Sequence, residues 1–250
     1  MDIKEQLNKD LDYLKLPRIR QVYEEISEKA AKENLSHIEY LAKLMSEESA
    51  AKFERSIHAR IIQARFPLIK TIDSFDFNHP ESINKQQILK LLDLDFIERN
   101  ENVVILSPPG CGKTHIALSI AYKACCKGIR TYFTTAVDAI NYLHAAQSDN
   151  TFLQCMKQYT GPRLVVLDEV GYLPIDRQGA DLLFQIISQR YERGSIILTS
   201  NRAFKDWGQI FHDNTIASAI IDRLIHHSEV VKIKGESYRI KDRKNKNKLD

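Results

Sequence analysis

Two clusters in this chain combine residue types and spacing that can do chemistry. The first is Ser107-Pro108-Pro109-Gly110-Cys111-Gly112-Lys113-Thr114-His115, preceded by Val103-Val104-Ile105-Leu106 and followed by Ile116-Ala117-Leu118. An apolar strand, a glycine-bearing loop and a helix in that order make an anion cradle. Backbone N–H groups turn inward, and the following helix presents the positive end of its dipole. Gly110 and Gly112 stand where a side chain would collide with phosphate or where φ must be positive. Lys113 would reach the β- and γ-phosphates of a nucleoside triphosphate, and Thr114 would place its hydroxyl on Mg²⁺. The run Ser107–His115 is therefore the candidate ATP-binding loop. It departs from G-x-x-x-x-G-K-[ST] at the first position, where Ser107 replaces glycine. Serine is the smallest polar replacement, so the loop should form with slight adjustment, though its activity could be weakened.

The second cluster is Asp168-Glu169, which closes the apolar run Leu164-Val165-Val166-Leu167. Two acids at the end of a buried strand are costly unless a cation sits beside them. Asp168 is suited to hold Mg²⁺, and Glu169 to orient and deprotonate the water that attacks the γ-phosphate. A transferase would not need that glutamate, so the pair favours hydrolysis. Loop and acids are expected to face each other from neighbouring strands. Cys111 lies near a helix N-terminus and Lys113, which should lower its thiol pKa and make it alkylable, with ATP protecting it. The alternative is an inert cysteine whose side chain points away.

The elements around these clusters read as two regions. Residues 1 to about 65 contain no glycine and repeat apolar residues at helical spacing: Leu7, Leu11, Leu14, then Ile19, Val22, Tyr23, Ile26. Pro17 separates the two segments. Ser36 with Glu39 forms a capping-box pattern opening a helix through Leu41 and Leu44. A separate long charged helix is expected from about Ser46 to Arg65, closed by Pro67. Ser74–Pro80 reads as a connecting segment. From Lys85 onward strands (Val103–Leu106, Thr131–Thr134, Leu164–Leu167, Ser195–Ser200, Val230–Lys234) alternate with helices (His115–Lys127, Ala136–Gln147, Ala180–Tyr191, Thr215–His227). That alternation means a parallel α/β sheet. The boundaries that follow are a helical domain 1–67, a connector 68–84, an α/β core 85–240 and a basic tail 241–250.

Composition narrows the class. Of 250 residues 43% are hydrophobic and 28% charged, ordinary for a soluble globular chain. The net charge of +3 does not by itself argue for nucleic acid, but it permits a local basic face. No apolar run approaches the roughly 20 residues that span a bilayer. The start, MDIKEQLNKDLDYL, has no apolar core of a signal peptide. The four cysteines, Cys111, Cys125, Cys126 and Cys155, lack zinc-ligand spacing. No membrane association and a reduced, cytoplasmic setting are the expectations.

Taken together, SPPGCGKTHIALSIA, LVVLDEVGYLP, FQIISQRYERGSIILTSN and IASAIIDRLIHHSEVVKIKGESYR resemble the IstB family, with the helical N-terminal region and the SFDF connector included. These are ATP-dependent helper proteins of bacterial insertion sequences. They are AAA+ ATPases related to the helicase loader DnaC and the initiator DnaA. The resemblance implies an AAA+ P-loop core preceded by a small all-α domain. It also implies ATP and Mg²⁺ as cofactors, non-specific binding of double-stranded DNA, ATP-dependent self-assembly, and recruitment or activation of a transposase. Hydrolysis would reset the complex. In this resemblance Asn201 matches the sensor asparagine that contacts γ-phosphate or water; a strand-end turn residue is the alternative. Arg223 matches an arginine finger acting on a neighbouring subunit; an internal pair with Asp222 or Asp181 is the alternative. Arg190 and Arg202 are rival fingers. Adenine recognition falls to the connector and Leu94–Ile97.

DNA contact is hinted at by Lys52, Arg55, Arg60 and Arg65 on the long helix. Arg239, Lys241, Arg243, Lys244, Lys246 and Lys248 add to the hint near the C-terminus. A solvated helix and a soluble tail are the plain alternative. Two rival functions remain: a DnaC-type helicase loader, and a nucleotide-gated binding module with negligible turnover.

Overall fold

The computed structural model describes residues 2–238. The chain divides into two compact units, Met1–Ala59 and Arg60–Asp250.

The first unit is built from helices α1 (Ile3–Tyr13), α2 (Pro17–Glu33) and the greater part of α3 (His37–Gln63). Pro17 takes the first position of α2, where its missing N–H costs nothing. Leu16, the residue before it, has no side-chain acceptor for the helix start. Glu48 of α3 supplies one: its buried carboxylate accepts from Arg18 N at 2.7 Å and Ile19 N at 3.0 Å. Leu11, Ile19, Val22 and Leu44 form the small core. The Ser36–Glu39 box closes as expected, with Ser36 N donating to Glu39 Oε2 at 2.8 Å and Glu39 N to Ser36 Oγ at 3.3 Å. The two helices expected beyond it are one: α3 runs unbroken through Ser46, because nothing there interrupts backbone pairing.

The second unit holds α4 (Lys85–Leu91), α5 (Asp95–Glu98), β1 (Asn102–Leu106), α6 (Lys113–Cys126), β2 (Thr131–Thr135), α7 (Ala136–Ser148) and α8 (Phe152–Thr160). It continues with β3 (Leu164–Val170), α9 (Arg177–Arg190), β4 (Ser195–Ser200), α10 (Trp207–Ile210), α11 (Asn214–Ile225) and β5 (Ser228–Lys232). All five strands are parallel, in the order β2-β3-β4-β1-β5. Alternate residues feed two cores. Val104, Val165, Leu167, Ile196 and Leu198 pack with α7, α9 and α11. Val103, Ile105, Val166, Ile197 and Val231 pack with α4, α5 and α6. Both faces are apolar because both are covered. Helix α8, short and amphipathic, adds to the helices expected from the sequence.

β4 lies between β1 and β3, so the loop after β1 and the acids ending β3 are not on neighbouring strands. This corrects the expected arrangement, and it puts the end of β4 between the two clusters. None of the described helices is long and apolar enough to cross a membrane.

Candidate functional site

The loop after β1 and the first turn of α6 rest on the C-terminal ends of the strands, where open parallel sheets bind ligands. Gly110 and Gly112 have φ of +81° and +88°, which side chains rarely adopt. Both are also crowded. A Cβ on Gly110 would lie 2.1 Å from Ser237 Oγ, and one on Gly112 would lie 2.5 Å from the Phe75 ring. Ser107 does not enter the positive-φ region, which explains why serine is accepted there. Its N–H donates to Ser200 O at 3.1 Å, and its hydroxyl to Pro108 O at 3.0 Å. Pro108 and Pro109 are exposed.

Lys113 is 9% exposed and forms no ion pair among the described residues. With its stem covered and no acid paired to it, the Lys113 ammonium is left to meet an anion held in the loop. Next to it, Thr114 Oγ1 donates to the Asp168 carboxylate at 3.0 Å. Helix α6 thus carries the threonine over β4 to the acid on β3. Asp168 is 4% exposed and also accepts from Thr199 Oγ1. Thr199 Oγ1 in turn accepts from Glu169 N at 3.0 Å. Glu169 takes a left-handed backbone, φ +60°, at a register shift between Leu167 and Val170. Such a bulge turns a side chain out of the strand's alternation, at a cost of about 1–3 kcal/mol for the backbone. Asn201, one residue beyond β4, has a buried Oδ1 with no hydrogen-bond partner among the described residues.

A cavity of about 500 Å³ opens beside the loop. Gly110 to His115 form one wall; Phe75, Asp76, His79 and Pro80 of the connector and Tyr238 form the other. His115 ties the walls together: its Nε2 lies 2.9 Å from Thr71 O and its ring packs edge-on to Phe75 at 5.3 Å. Burial lowers its pKa from the usual imidazole value. Leu94, Phe96 and Ile97 are not in this wall. They are buried in the core beneath α6, so the expectation that Leu94–Ile97 meets the base is corrected.

Cys111 corrects another expectation. Its side chain is 2% exposed and its S–H donates to Gly235 O at 3.2 Å. Burial pushes the thiol pKa up, outweighing the attraction of Lys113. Arg190 is 2% exposed and donates to the carbonyls of Tyr159, Pro162, Arg163 and Ser195 at 2.6–2.9 Å. Burial pushes its guanidinium down to about 10, yet these four acceptors favour the charged form. It staples the starts of β3 and β4 and cannot reach another subunit. Arg223 pairs with neither Asp222 nor Asp181 among the described residues. It donates to Ala219 O at 3.3 Å and lies 4.7 Å from the Phe184 ring centroid. Arg202 is exposed. Sequence reasoning missed Thr199 and Tyr238, and named the connector without singling out His79. Their types are common, and only the sheet order and the folded-back chain end bring them to the site. Arg239, Lys241, Arg243, Lys244, Lys246 and Lys248 lie outside the described residues.

A five-stranded parallel sheet with this loop, this acid pair and a polar residue between them defines a P-loop protein of the AAA+ type. Solved structures share the fold, two among them as follows. The DnaC helicase loader is 23% identical, covering 66% of this chain and 96% of that one, with a TM-score of 0.52. AMPPCP-bound DnaA from Aquifex aeolicus is 21% identical, covering 72% and 55%, with a TM-score of 0.55. Residues 9–246 match the family model described as IstB-like ATP binding protein, and the chain belongs to that family. It is 44% identical over 238 residues to the putative ATP-binding protein of insertion sequence IS232 from Bacillus thuringiensis subsp. berliner, covering 95% of each chain. It is 40% identical over 242 residues to that of IS5376 from Geobacillus stearothermophilus, covering 97% of this chain and 96% of the other.

Proposed function

We propose that this chain is an ATP-hydrolysing transposition helper. The observation that carries ATP binding is the nearly buried, unpaired Lys113 beside the Thr114–Asp168 contact. Thr114 and Asp168 are hard oxygen donors, which fit Mg²⁺. Magnesium held there would neutralise charge on the triphosphate. Lys113 and the N–H groups of residues 110–115 bind the phosphates. Glu169, turned out by the bulge, takes a proton from the attacking water. Asn201, whose Oδ1 has no partner, orients that water or the γ-phosphate. Arg223 or exposed Arg202 serves a neighbouring subunit, which makes hydrolysis depend on assembly. The base lies against the connector, His79 and Tyr238.

The insertion-sequence relatives, alike over nearly their whole length, support the wider role. The protein binds double-stranded DNA without sequence preference, multimerises with ATP and recruits a transposase, and hydrolysis resets the complex. The DnaC-like fold keeps the helicase-loader reading as the rival.

The test is nucleotide calorimetry with and without magnesium, then phosphate release with and without duplex DNA. Wild type, Lys113→Ala and Glu169→Gln would be compared. Tight magnesium-dependent binding lost in Lys113→Ala, with turnover alone lost in Glu169→Gln, is expected. Binding without any turnover would leave only a nucleotide-gated module. Capture of a helicase instead of a transposase would favour the loader.

A further inference from the structure

A second concave site lies at the other end of the sheet. Arg130 and Thr131 stand where β2 begins, whereas the nucleotide site stands where the parallel strands end. Here a cavity of about 200 Å³ is lined by Arg60, Arg65, Arg130 and Lys157, with Tyr132 and Gln158, and by no acid.

The site is built rather than a scatter of surface charge. After α3, a left-handed residue at Arg65, φ +57°, turns the chain along the edge of β2. Phe133 N donates to Ala64 O at 2.8 Å and holds it there. The Tyr132 phenol accepts from Arg65 Nη1 at 3.5 Å and donates to Gln158 Oε1 at 3.2 Å. The Arg65 guanidinium lies 5.8 Å from the same ring's centroid. Buried Tyr159 packs edge-on to Tyr132 at 5.7 Å and fixes the ring from behind. In the helical unit seven of the ten Lys and Arg side chains are ion-paired among the described residues, Lys15, Lys32 and Lys52 being the exceptions. Lys4, Lys9, Arg18, Arg20, Lys29 and Lys43 are each paired with an acid there. Arg55, one of the expected DNA contacts, is likewise paired with Glu48. Arg65, Arg130 and Lys157 have no ion pair among the described residues.

We infer that this cavity seats a backbone phosphate of double-stranded DNA, independently of ATP. The inference rests on the proposed DNA partner and gives it a place. Guanidinium forks match phosphate oxygens in pairs. The cavity is less than half the volume of the nucleotide cavity, and Tyr132 is already engaged by Arg65 and Tyr159, so no slot for a base remains. Contact of this kind positions a duplex without reading its sequence. Because the two sites occupy opposite ends of the sheet, both ligands can be held at once.

The experiment titrates a fluorescein-labelled duplex of mixed sequence with the full chain. Anisotropy is read across a salt series, with and without ATP. Wild type is compared with Arg130→Glu/Lys157→Glu and with the charge-keeping Arg65→Lys/Arg130→Lys. The expected result is an affinity at least about tenfold weaker for the charge-reversed protein, with the slope of log affinity against log salt reduced by about one per lost phosphate contact. Its ATP affinity and melting temperature stay as in wild type, and the lysine variant keeps the wild-type slope. Equal affinity and slope in all three proteins would overturn this site while leaving the DNA partner in place. A wild type that binds no duplex would overturn both. Loss of affinity accompanied by a lower melting temperature, and shared by the lysine variant, would mark a packing role and also overturn it.

Discussion

Thr199 hydrogen-bonds Asp168: the hydroxyl on β4 donates to the carboxylate on β3 and accepts the N–H of Glu169. One side chain thus holds both acids of the site, the buried one by its carboxylate and its neighbour by the backbone.

Thr199→Val keeps the shape and removes that link. A buried group left short of a partner costs about 1–3 kcal/mol, so a lower melting temperature is expected. ATP affinity without magnesium should hold, while turnover falls, because Glu169 loses the bond that fixes its left-handed backbone. Calorimetry and phosphate release on one preparation check both halves.

Asn201→Ala separates a catalytic amide from a turn residue. Its buried Oδ1 has no partner, so deletion should change stability little. Turnover at saturating ATP should fall by about ten- to a hundredfold if the amide orients water or phosphate. An unchanged rate with a lower melting temperature would assign it to the turn.

Arg190→Met leaves four carbonyls, at the end of α8, in the loop after it and at the start of β4, without their donor. A loss of about 3–5 kcal/mol is expected in denaturant unfolding, at the upper end for one substitution. Arg190→Lys should recover little, since an ammonium lacks the planar fork. The rate per folded molecule should be that of wild type, which would not hold for an arginine finger.

His115 predicts a pH dependence. Burial lowers its folded-state pKa below the ordinary 6.5, so the unfolded chain binds the proton more readily. The associated stability is present above 6.5 and is lost as pH falls through that value toward the folded one. Melting curves across this range should show the decline in wild type and a smaller one in His115→Gln.

Cys111 should react with iodoacetamide more slowly than a free cysteine peptide at mildly alkaline pH. Its raised pKa lowers the thiolate fraction, and the bond to Gly235 O closes off the sulfur. Mass mapping of the labelled sites would show fast modification if this packing were wrong.

Much of this was legible in the chain. The run Ser107–His115 needs only local order, strand then loop then helix, and its glycines take the φ values their positions required. The alternation from Lys85 onward gave five strands within a few residues, because buried β runs and amphipathic helices differ in period. Cys111 misled for a physical reason. Its neighbours in sequence are electropositive, but Gly235 and Glu236, far along the chain, fold over it and exclude water. The Leu94–Ile97 segment misled in the same way, since burial beneath α6 is set by packing and not by the segment itself.

By itself the sequence pointed to the phosphate loop, the acid pair and the class of fold, because the first two are runs of adjacent residues and the third is read from strand and helix periods alternating along the chain. Only the tertiary structure decided that β4 runs between loop and acids, that Thr199 therefore joins the two acids, and that four cations gather below β2. Those facts depend on strand order and on long-range packing, which residue spacing does not encode.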